Sequence, residues 1–458
     1  MATRDVPPQS VAELTSLRDN LKSDNESIDA SQSALVTAFN AEPFDAFTHR
    51  VRELILTAVW PNATAEQVTV EEMTNSRFNQ IIGISWNVDR HNLQHILRIP
   101  QFADSGDIGE QVAALKFVKK HTKIPAPTVI EYDRSSDNAL GSPYMVQNRI
   151  TGVSLHKMTT PVMNVPHAGW LKLAHELGEA YRQMLVVRSA AAGRLVLSSE
   201  SLGGSIHVAP FETSETPSRP AQPYAAAGPN QISSDAALAL VKDLLNFRQE
   251  KQMAGKPAES RGEFQDLLVM ARELADAGYF NDLDCCLCHL DISPRNILVD
   301  PSIAGTRNAG SKIAAILGWR SAILAPSFMA CTPPAWLWSH DDADRHGNAD
   351  KENSDELDES SHNLDPKTED SHKEIKAVFD EAAGPDFVYY AYDPVYRLAR
   401  RLFRFALGGV EPFNEYREAY RDIILEWQRI KKAEDSTSTS RPGPPSRVSV
   451  PARLKPNV

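Results

Sequence analysis

A polar loop flanked by apolar residues, CHLDISPRNILVD at 288–300, constrains the fold of this chain more than any other stretch. Within the loop, His289, Asp291 and Asn296 have the spacing H-x-D-x-x-x-x-N. In phosphoryl transfer, a carboxylate beside the attacking hydroxyl orients it and accepts its proton, and an amide five residues later can face a metal ion that bridges nucleotide phosphates. The apolar residues 297–299 predict a strand that holds the loop rigid. The spacing therefore indicates a loop suited to phosphoryl transfer.

The rest of the chain divides into a strand-like part and a helix-like part. β-Branched and aromatic residues predict strands at 68–74, 77–88, 95–100 and 127–133, with further short strands at 286–290 and 312–319. Apolar residues at helical spacing predict helices at 107–121, 167–188, 234–252, 263–280, 393–409 and 413–434. The Pro- and Ala-rich stretch 214–231 is typical of a long connection. Strands followed by helices indicate an α+β protein.

Composition excludes several classes of protein. The formal net charge of −12 argues against a nucleic-acid partner, because such proteins usually present a basic face. No stretch approaches the roughly 18 apolar residues that a membrane-spanning helix needs, so we expect no membrane role. The N-terminal residues have no apolar core and therefore do not resemble a secretory signal. With only four cysteines in 458 residues, a reducing, cytoplasmic location is expected.

The loop and its flanking strands resemble the catalytic loop of the aminoglycoside phosphotransferase and choline-kinase-like branch of the protein-kinase-like fold. The chain is similar in particular to the large phosphotransferase-enzyme family found in fungi, over roughly residues 70 to 430. The resemblance implies a two-lobed fold with a small strand-rich N-lobe and a larger helical C-lobe. It implies ATP and Mg²⁺ as cofactors, Asp291 as the catalytic base and Asn296 as a magnesium ligand.

The same resemblance assigns nucleotide-binding roles to the N-terminal part. The turn NSRFNQIIG (75–83), with Phe78 and Asn79, lies where the family has its phosphate-covering loop, although it lacks the G-x-G-x-x-G spacing. Arg98 lies on the strand where kinases place the lysine that holds the α- and β-phosphates. Its guanidinium could grip a phosphate bidentately, or it could be a solvated arginine at the edge of a strand.

Two further segments complete the nucleotide-binding set that the resemblance implies. Glu110 opens the helix after the strand of Arg98 and could anchor that arginine, or could simply complement the helix dipole. The stretch SPYMVQNRITGVSL (142–155) resembles the inter-lobe hinge, in which the backbone from Gln147 to Arg149 would meet the adenine edge.

One position departs from the family pattern. The family carries a second metal-binding aspartate, usually in D-W or D-F-G, at the end of the strand after the catalytic loop, whereas IAAILGWRSAILAP (313–326) has Gly318 there, followed by Trp319. Glycine supplies neither an oxygen ligand nor a charge. A loss of ~4 kcal/mol of metal stabilisation would slow the reaction about a thousandfold. No acid lies within two residues of Gly318, so the sequence predicts a weakened magnesium site.

The sequence also suggests an order of segments along the chain. Residues 341–370 hold twelve acidic and three basic side chains, a balance of −9, and few large apolar residues, which is typical of disorder. The expected segments are a polar leader at 1–45, an N-lobe at 46–150, a C-lobe at 151–340, an acidic disordered insert at 341–375, C-terminal helices at 376–434 and a disordered tail at 435–458.

Three functions remain open at this stage. The first is ATP-dependent O-phosphorylation of a small hydroxylated molecule, impaired by Gly318. The second is a catalytically inactive pseudokinase that acts as a binding scaffold. The third is an interaction protein that holds a protein partner through the acidic insert and the mobile tail. Cys285, Cys288 and His289 also spell the haem-attachment pattern C-x-x-C-H, but His289 belongs to the catalytic loop, and zinc binding lacks a second ligand pair.

Overall fold

The protein is described by a computed structural model. It describes residues 44–73, 79–88, 91–101, 107–158, 165–198, 204–211, 224–228, 231–253, 262–281, 283–300, 313–338, 369–408 and 414–436. Four of the predictions above lie wholly or mostly outside these ranges, namely the role of Phe78, the leader, the acidic insert and the tail.

The chain divides into two compact units. The first unit comprises Met1–Ile108 and Val129–Arg149, and the second comprises Gly109–Thr128 and Ile150–Val458. The first unit overlaps the predicted N-lobe at 46–150, but residues 109–128 group with the second unit.

The first unit is built on an antiparallel sheet with the strand order β1-β2-β3-β5-β4. Its strands are β1 Val68–Glu72, β2 Asn79–Val88, β3 His91–Pro100, β4 Val129–Asp133 and β5 Tyr144–Asn148. Alternate side chains, among them Ile82, Leu97 and Val146, point to one face and form a core with helix α1, Phe44–Leu54. Apolar residues recur at every second position of these strands, and this alternation places them on the same face.

The second unit is mostly helical. Its helices are α2 Ile108–His121, α3 Leu155–Met158, α4 His167–Val186, α5 Ser234–Met253, α6 Gly262–Asp276, α7 Glu369–Ala383, α8 Pro385–Tyr392, α9 Pro394–Gly408 and α10 Asn414–Ser436. The predicted helix starting at Asp393 is confirmed. The carboxylate of Asp393 caps this helix, because it accepts hydrogen bonds from the backbone N–H groups of Val395 at 2.8 Å and Tyr396 at 3.2 Å. Pro394 is the first helical residue.

Two sheets accompany these helices. Strands β6 Val153–Ser154, β13 Ile297–Val299 and β14 Ile313–Ile316 form a small sheet in the order β14-β13-β6. The larger sheet contains β7 Arg188–Ser189, β8 Ala191–Leu197, β9 Ile206–Ala209, β10 Tyr224–Gly228, β11 Gln231–Ile232, β12 Leu283–Cys288 and β15 Ile323–Pro326. Strand β10 lies within the stretch 214–231, for which the sequence predicted a connection.

The predicted α+β class, with a strand-rich N-terminal part and a helical C-terminal part, is confirmed. Helix α7 begins at Glu369, inside the segment 341–375 that was assigned to the acidic insert, so the last residues of that segment are helical. Within the described residues, no helix is both long enough and apolar enough to cross a membrane.

Candidate active site

The loop between β12 and β13 carries the residues that the sequence singled out. Strand β12 ends at Cys288, and Leu290 then has φ of +65°, the one positive value outside glycine among the described residues. This conformation is costly for a branched side chain and persists only where the surroundings enforce it. The chain thus turns sharply between His289 and Asp291.

His289 attaches this turn to the neighbouring strand. Its ring is buried, Nε2 lies 2.7 Å from the carbonyl oxygen of Leu317, and Nδ1 accepts the backbone N–H of Asp291 at 3.2 Å. Since Nδ1 accepts, Nε2 carries the proton and donates it to Leu317. Trp319 packs edge-on against the ring at 4.5 Å between centroids. Burial lowers the pKa of His289 to about 4, so the imidazole is neutral at physiological pH.

Asn296 lies against Asp291. A single 3₁₀ turn, Pro294–Asn296, brings the amide back to the loop. Its Nδ2 donates to the backbone oxygen of Asp291 at 3.0 Å and to Oδ2 of the same residue at 2.7 Å. The carboxyl group at 291 and the amide at 296 therefore converge, as the spacing of the motif predicted.

Strand β6 supports the loop from the other side. Ser154 pairs with Leu298, and its hydroxyl donates to the backbone oxygen of Pro294 at 3.3 Å. Gly152 precedes this strand, and a Cβ there would lie 3.2 Å from the Cβ of Leu298. The close approach of the two chains explains why a residue without a side chain stands at 152.

Gly318 lies directly beside Asn296. It has φ of +82° and ψ of +18°, in the left-handed region, and the N–H of the preceding Leu317 donates to the backbone oxygen of Asn296 at 2.7 Å. A Cβ at 318 would lie 2.8 Å from Nδ2 of Asn296. Position 318 thus faces the amide, as the family pattern implies for a metal-binding residue. A side chain at 318 would have to displace that amide and adopt a left-handed φ, and both requirements favour glycine.

Three of the predicted nucleotide-binding residues, Asn79, Arg98 and Gln147, share one face of the sheet in the first unit. The register pairs Ile81 with Arg98, Arg98 with Met145 and Ile96 with Gln147, and it places Asn79 on the same side of β2 as Ile81. This face is opposite the one that packs on α1. Arg149 follows β5, and its guanidinium forms an ion pair with Glu71 at 2.6 Å.

These residues differ in burial and in the hydrogen bonds that they form. Asn79 is buried, Arg98 is half-buried, and Gln147 is 7% exposed. Among the described residues, none donates a hydrogen bond to the side-chain oxygen of Gln147. The backbone N–H of Arg149 donates to the carbonyl oxygen of Gln94 at 3.0 Å. That N–H is therefore already used, which removes one of the groups expected to meet an adenine edge.

Glu110 has a cationic partner other than the one that the sequence suggested. Its carboxylate forms an ion pair with Arg194 of β8, whose Nε also donates to the carbonyl oxygen of Pro210 at 3.4 Å. No sequence signal marked Arg194, because it lies in an Ala- and Gly-rich segment that was not predicted to be a strand. The pairing of Glu110 with Arg98 stays a prediction.

The cysteines form no ligand site among the described residues. Cys285, Cys286, Cys288 and Cys331 are free and buried, and burial raises the pKa of Cys285 to about 12. A thiol with so high a pKa remains protonated and packs as a small apolar side chain. The C-x-x-C-H pattern thus coincides with the buried end of β12.

A comparison with known protein families identifies the family of this chain. Residues 86–322, just over half of the chain, match the Phosphotransferase enzyme family. The chain belongs to this family.

Solved structures of phosphotransferases resemble the chain at low identity. A thermostable mutant of an aminoglycoside phosphotransferase is 11% identical with a TM-score of 0.41, covering 82% of this chain and 98% of its own. Choline kinase from Cryptosporidium parvum Iowa II is 11% identical with a TM-score of 0.40, covering 86% and 97%. Ethanolamine kinase from Plasmodium vivax is 9% identical with a TM-score of 0.38, covering 84% and 88%. The assignment rests on the family match, and the fungal branch stays a prediction.

No curated protein matches the sequence.

Phosphotransferases of this family generally use ATP and Mg²⁺. The residues around Asn296 do not fit a magnesium ion, which prefers several oxygen ligands including carboxylates. Position 318 has no side chain, Asn296 could offer only its Oδ1 because its Nδ2 donates to Asp291, and Asp300 is exposed at the end of β13. The described part of the chain contains no group of three His, Cys, Asp or Glu residues that could hold a metal ion.

Proposed function

We propose that this chain is a slow small-molecule phosphotransferase that uses ATP and acts on a hydroxyl group. In the proposed reaction the acceptor oxygen forms a bond to the γ-phosphorus while the bond from that phosphorus to the β–γ bridging oxygen breaks. The hydroxyl proton passes to the carboxylate of Asp291, and ADP leaves with the bonding electrons. Arg98, Asn79 and Gln147 are proposed to bind the nucleotide.

The observation that carries this proposal is the anchoring of Asp291. A general base must be held within hydrogen-bond reach of the proton that it abstracts. Here the backbone N–H of Asp291 is fixed by His289, and its carboxylate accepts a hydrogen bond from Asn296 at 2.7 Å. The carboxylate is half-buried, so it remains accessible to an acceptor.

The rate is proposed to be low because Gly318 supplies no charge. If metal stabilisation worth ~4 kcal/mol is missing, turnover falls about a thousandfold below that of an intact site. The assay must therefore use high enzyme concentration and long incubation.

The test is the formation of ADP and of a phosphorylated product from ATP, with a panel of polyols, sugars and amino alcohols as acceptors. We expect product from the wild type and loss of product in Asp291→Ala. The matched control is Asp300→Asn, which changes an exposed carboxylate in the same segment and should leave the rate unchanged. Equal background signal from wild type and Asp291→Ala would end the proposal.

A second candidate follows from the misfit at Gly318, namely a pseudokinase that binds a nucleotide without turnover. It predicts that calorimetry detects ATP binding to wild type and equally to Asp291→Ala, while neither forms product. Product from the wild type alone would exclude this candidate.

A further inference from the structure

One row of residues crosses four strands on the face of the first unit's sheet that lies opposite α1. Glu71 of β1 pairs with Gly83 of β2, and Gly83 pairs in turn with Ile96 of β3. Ile96 pairs with Gln147 of β5. Residues that pair directly across antiparallel strands point to the same side of the sheet. The row therefore runs from an acid on the edge strand to an amide, with a glycine and an isoleucine between them.

An ion pair lies across this row. Nη1 of Arg149, which follows β5, lies 2.6 Å from Oε2 of Glu71 on β1, although two strands separate β1 from β5. A Cβ at Gly83 would lie 3.0 Å from Oε2 of Glu71 and 3.4 Å from Nη1 of Arg149. Sδ of Met73 would be the third neighbour, at 3.3 Å. The pair thus rests directly on the backbone of β2, in space that a side chain at 83 would fill.

The far end of the row holds a buried acceptor. Gln147 is 7% exposed, and no residue in the part of the chain that the structure describes donates a hydrogen bond to its Oε1. A buried oxygen without a donor costs free energy, which a ligand N–H at hydrogen-bond distance would recover. Ile96 beside it offers an apolar surface for a flat ring. The row is therefore suited to a planar ring that carries N–H donors, such as the adenine base.

We infer that the ion pair of Glu71 and Arg149 is a gate, which opens when a purine base binds on this row. The inference rests on the proposed function, because it takes the adenine of ATP as the ligand of this face. A base over Gly83 needs the space that the closed pair occupies, so closure of the gate lowers the affinity for the base. The side chains of Arg149 and Glu71 are 29% and 54% exposed, and so exposed a pair should reduce the affinity by about fivefold at most.

The test measures the affinity of the full chain for adenosine by isothermal titration calorimetry. Adenosine carries the base without the charged phosphates, so salt does not screen its own contacts. We expect the affinity of the wild type to rise about threefold between about 20 and about 500 mM NaCl, because salt weakens the exposed pair. This series needs no variant. An affinity that does not change with salt, or no binding of adenosine at all, overturns the inference.

Glu71→Gln removes the pair. At low salt it should bind adenosine about threefold more tightly than the wild type, and its affinity should not rise further with salt. The matched control is Glu72→Gln, which removes the same charge from the next residue of β1, on the opposite face of the sheet. It should keep the affinity and the salt response of the wild type. If the two variants behave alike, the effect is one of total charge and the inference fails.

A charge swap separates a gate from a direct contact between Arg149 and the base. Arg149→Glu places two acids together and should hold the gate open, so it should bind adenosine more tightly than the wild type. Adding Glu71→Arg restores an ion pair of reversed polarity and should return the affinity and the salt response to those of the wild type. Weaker binding by Arg149→Glu that the swap does not restore would show that Arg149 holds the base, which overturns the inference.

Adenosine binding needs no turnover, so the gate and the proposed reaction can fail separately. If the wild type forms product from ATP but its affinity for adenosine does not change with salt, the gate is wrong and the phosphotransferase proposal stands. If the salt response is present and Glu71→Gln abolishes it, but no product forms, the gate stands and the proposed reaction is removed.

Discussion

His289 shows how one buried side chain can hold a reactive loop in place. The ring bridges the backbone of Asp291 and the carbonyl of Leu317, so it ties the loop to the segment after β14. This bridge requires the neutral ring. A proton on Nδ1 would face the N–H of Asp291, and two donors cannot pair.

We predict that acid weakens the fold through this residue. The folded-state pKa of His289 is about 4, below the ordinary value of 6.5, so the unfolded chain binds the proton first as the pH falls. The free energy of unfolding should therefore decrease from pH 6.5 towards pH 4, by up to about 3 kcal/mol. Urea denaturation at several pH values measures this.

The comparison variant is His289→Asn. Burial also lowers the pKa of His95, His121 and His156, so the quantity to compare is the difference in slope between wild type and variant. His289→Asn should flatten the dependence more than His121→Asn does, because His121 is only partly buried. An equal slope in both variants would show that His289 is not the group responsible.

Gln147 gives a second prediction for a single residue. Its side-chain oxygen is buried without a donor among the described residues, which costs free energy. Gln147→Met keeps the shape and removes the polar atoms, so the free energy of unfolding, measured by urea denaturation, should rise by about 1 kcal/mol. Gln94→Met, at an exposed position on β3, is the control and should leave stability unchanged. A large loss of stability in Gln147→Met would mean that the amide is well paired.

The sequence predicted the meeting of Asp291 and Asn296 because both belong to one short loop. It could not predict that Asn296 also lies against Gly318, because the pairing of β13 with β14 brings that residue there from outside the loop. The pairing of Glu110 with Arg194 is likewise a contact between distant segments.

At the scale of elements, periodicity predicted the strong amphipathic helices, and the structure confirms α4, α5, α6 and α9 within a few residues of the expected bounds. Strand β8 was missed because it begins with three small residues, Ala-Ala-Gly at 191–193. The close approach of β9 requires glycine at position 193, because a Cβ there would lie 2.1 Å from the carbonyl oxygen of Ala209. Pairing with a neighbour, rather than local propensity, makes this segment a strand.

Helices α4 and α7 approach each other through Gly178. A Cβ at this position would lie 2.6 Å from the carbonyl oxygen of Phe379 and 2.8 Å from the Cβ of Ala382. We predict that Gly178→Ala lowers the free energy of unfolding by about 2 kcal/mol, because the helices must separate. This outweighs the gain of about 1 kcal/mol that alanine normally brings inside a helix.

The matched control is Gly262→Ala at the start of α6, where nothing lies within 4 Å of the added Cβ. It should leave stability unchanged or slightly higher, as measured by urea denaturation of both variants. If both variants are destabilised equally, the close contact between α4 and α7 is not the reason why residue 178 is glycine.

At the scale of the whole molecule, charge is distributed very unevenly along the chain. Residues 341–368 carry ten acidic and three basic side chains, a balance of −7 in a protein whose net charge is −12. Glu369 and Asp370 instead belong to the first turn of α7, where acids complement the helix dipole. The acidic segment is therefore separable by composition from the helix that follows it.

We predict that this segment contributes charge rather than stability. Replacing its ten acids by the matching amides changes the net charge from −12 to −2, so the protein should elute from an anion exchanger at lower salt. Because the segment has few large apolar residues, the free energy of unfolding should change by less than about 0.5 kcal/mol. If the segment also holds a basic protein partner, capture of that partner should be lost while ATP binding is kept. A loss of stability above about 1 kcal/mol would instead show that the acids take part in the fold.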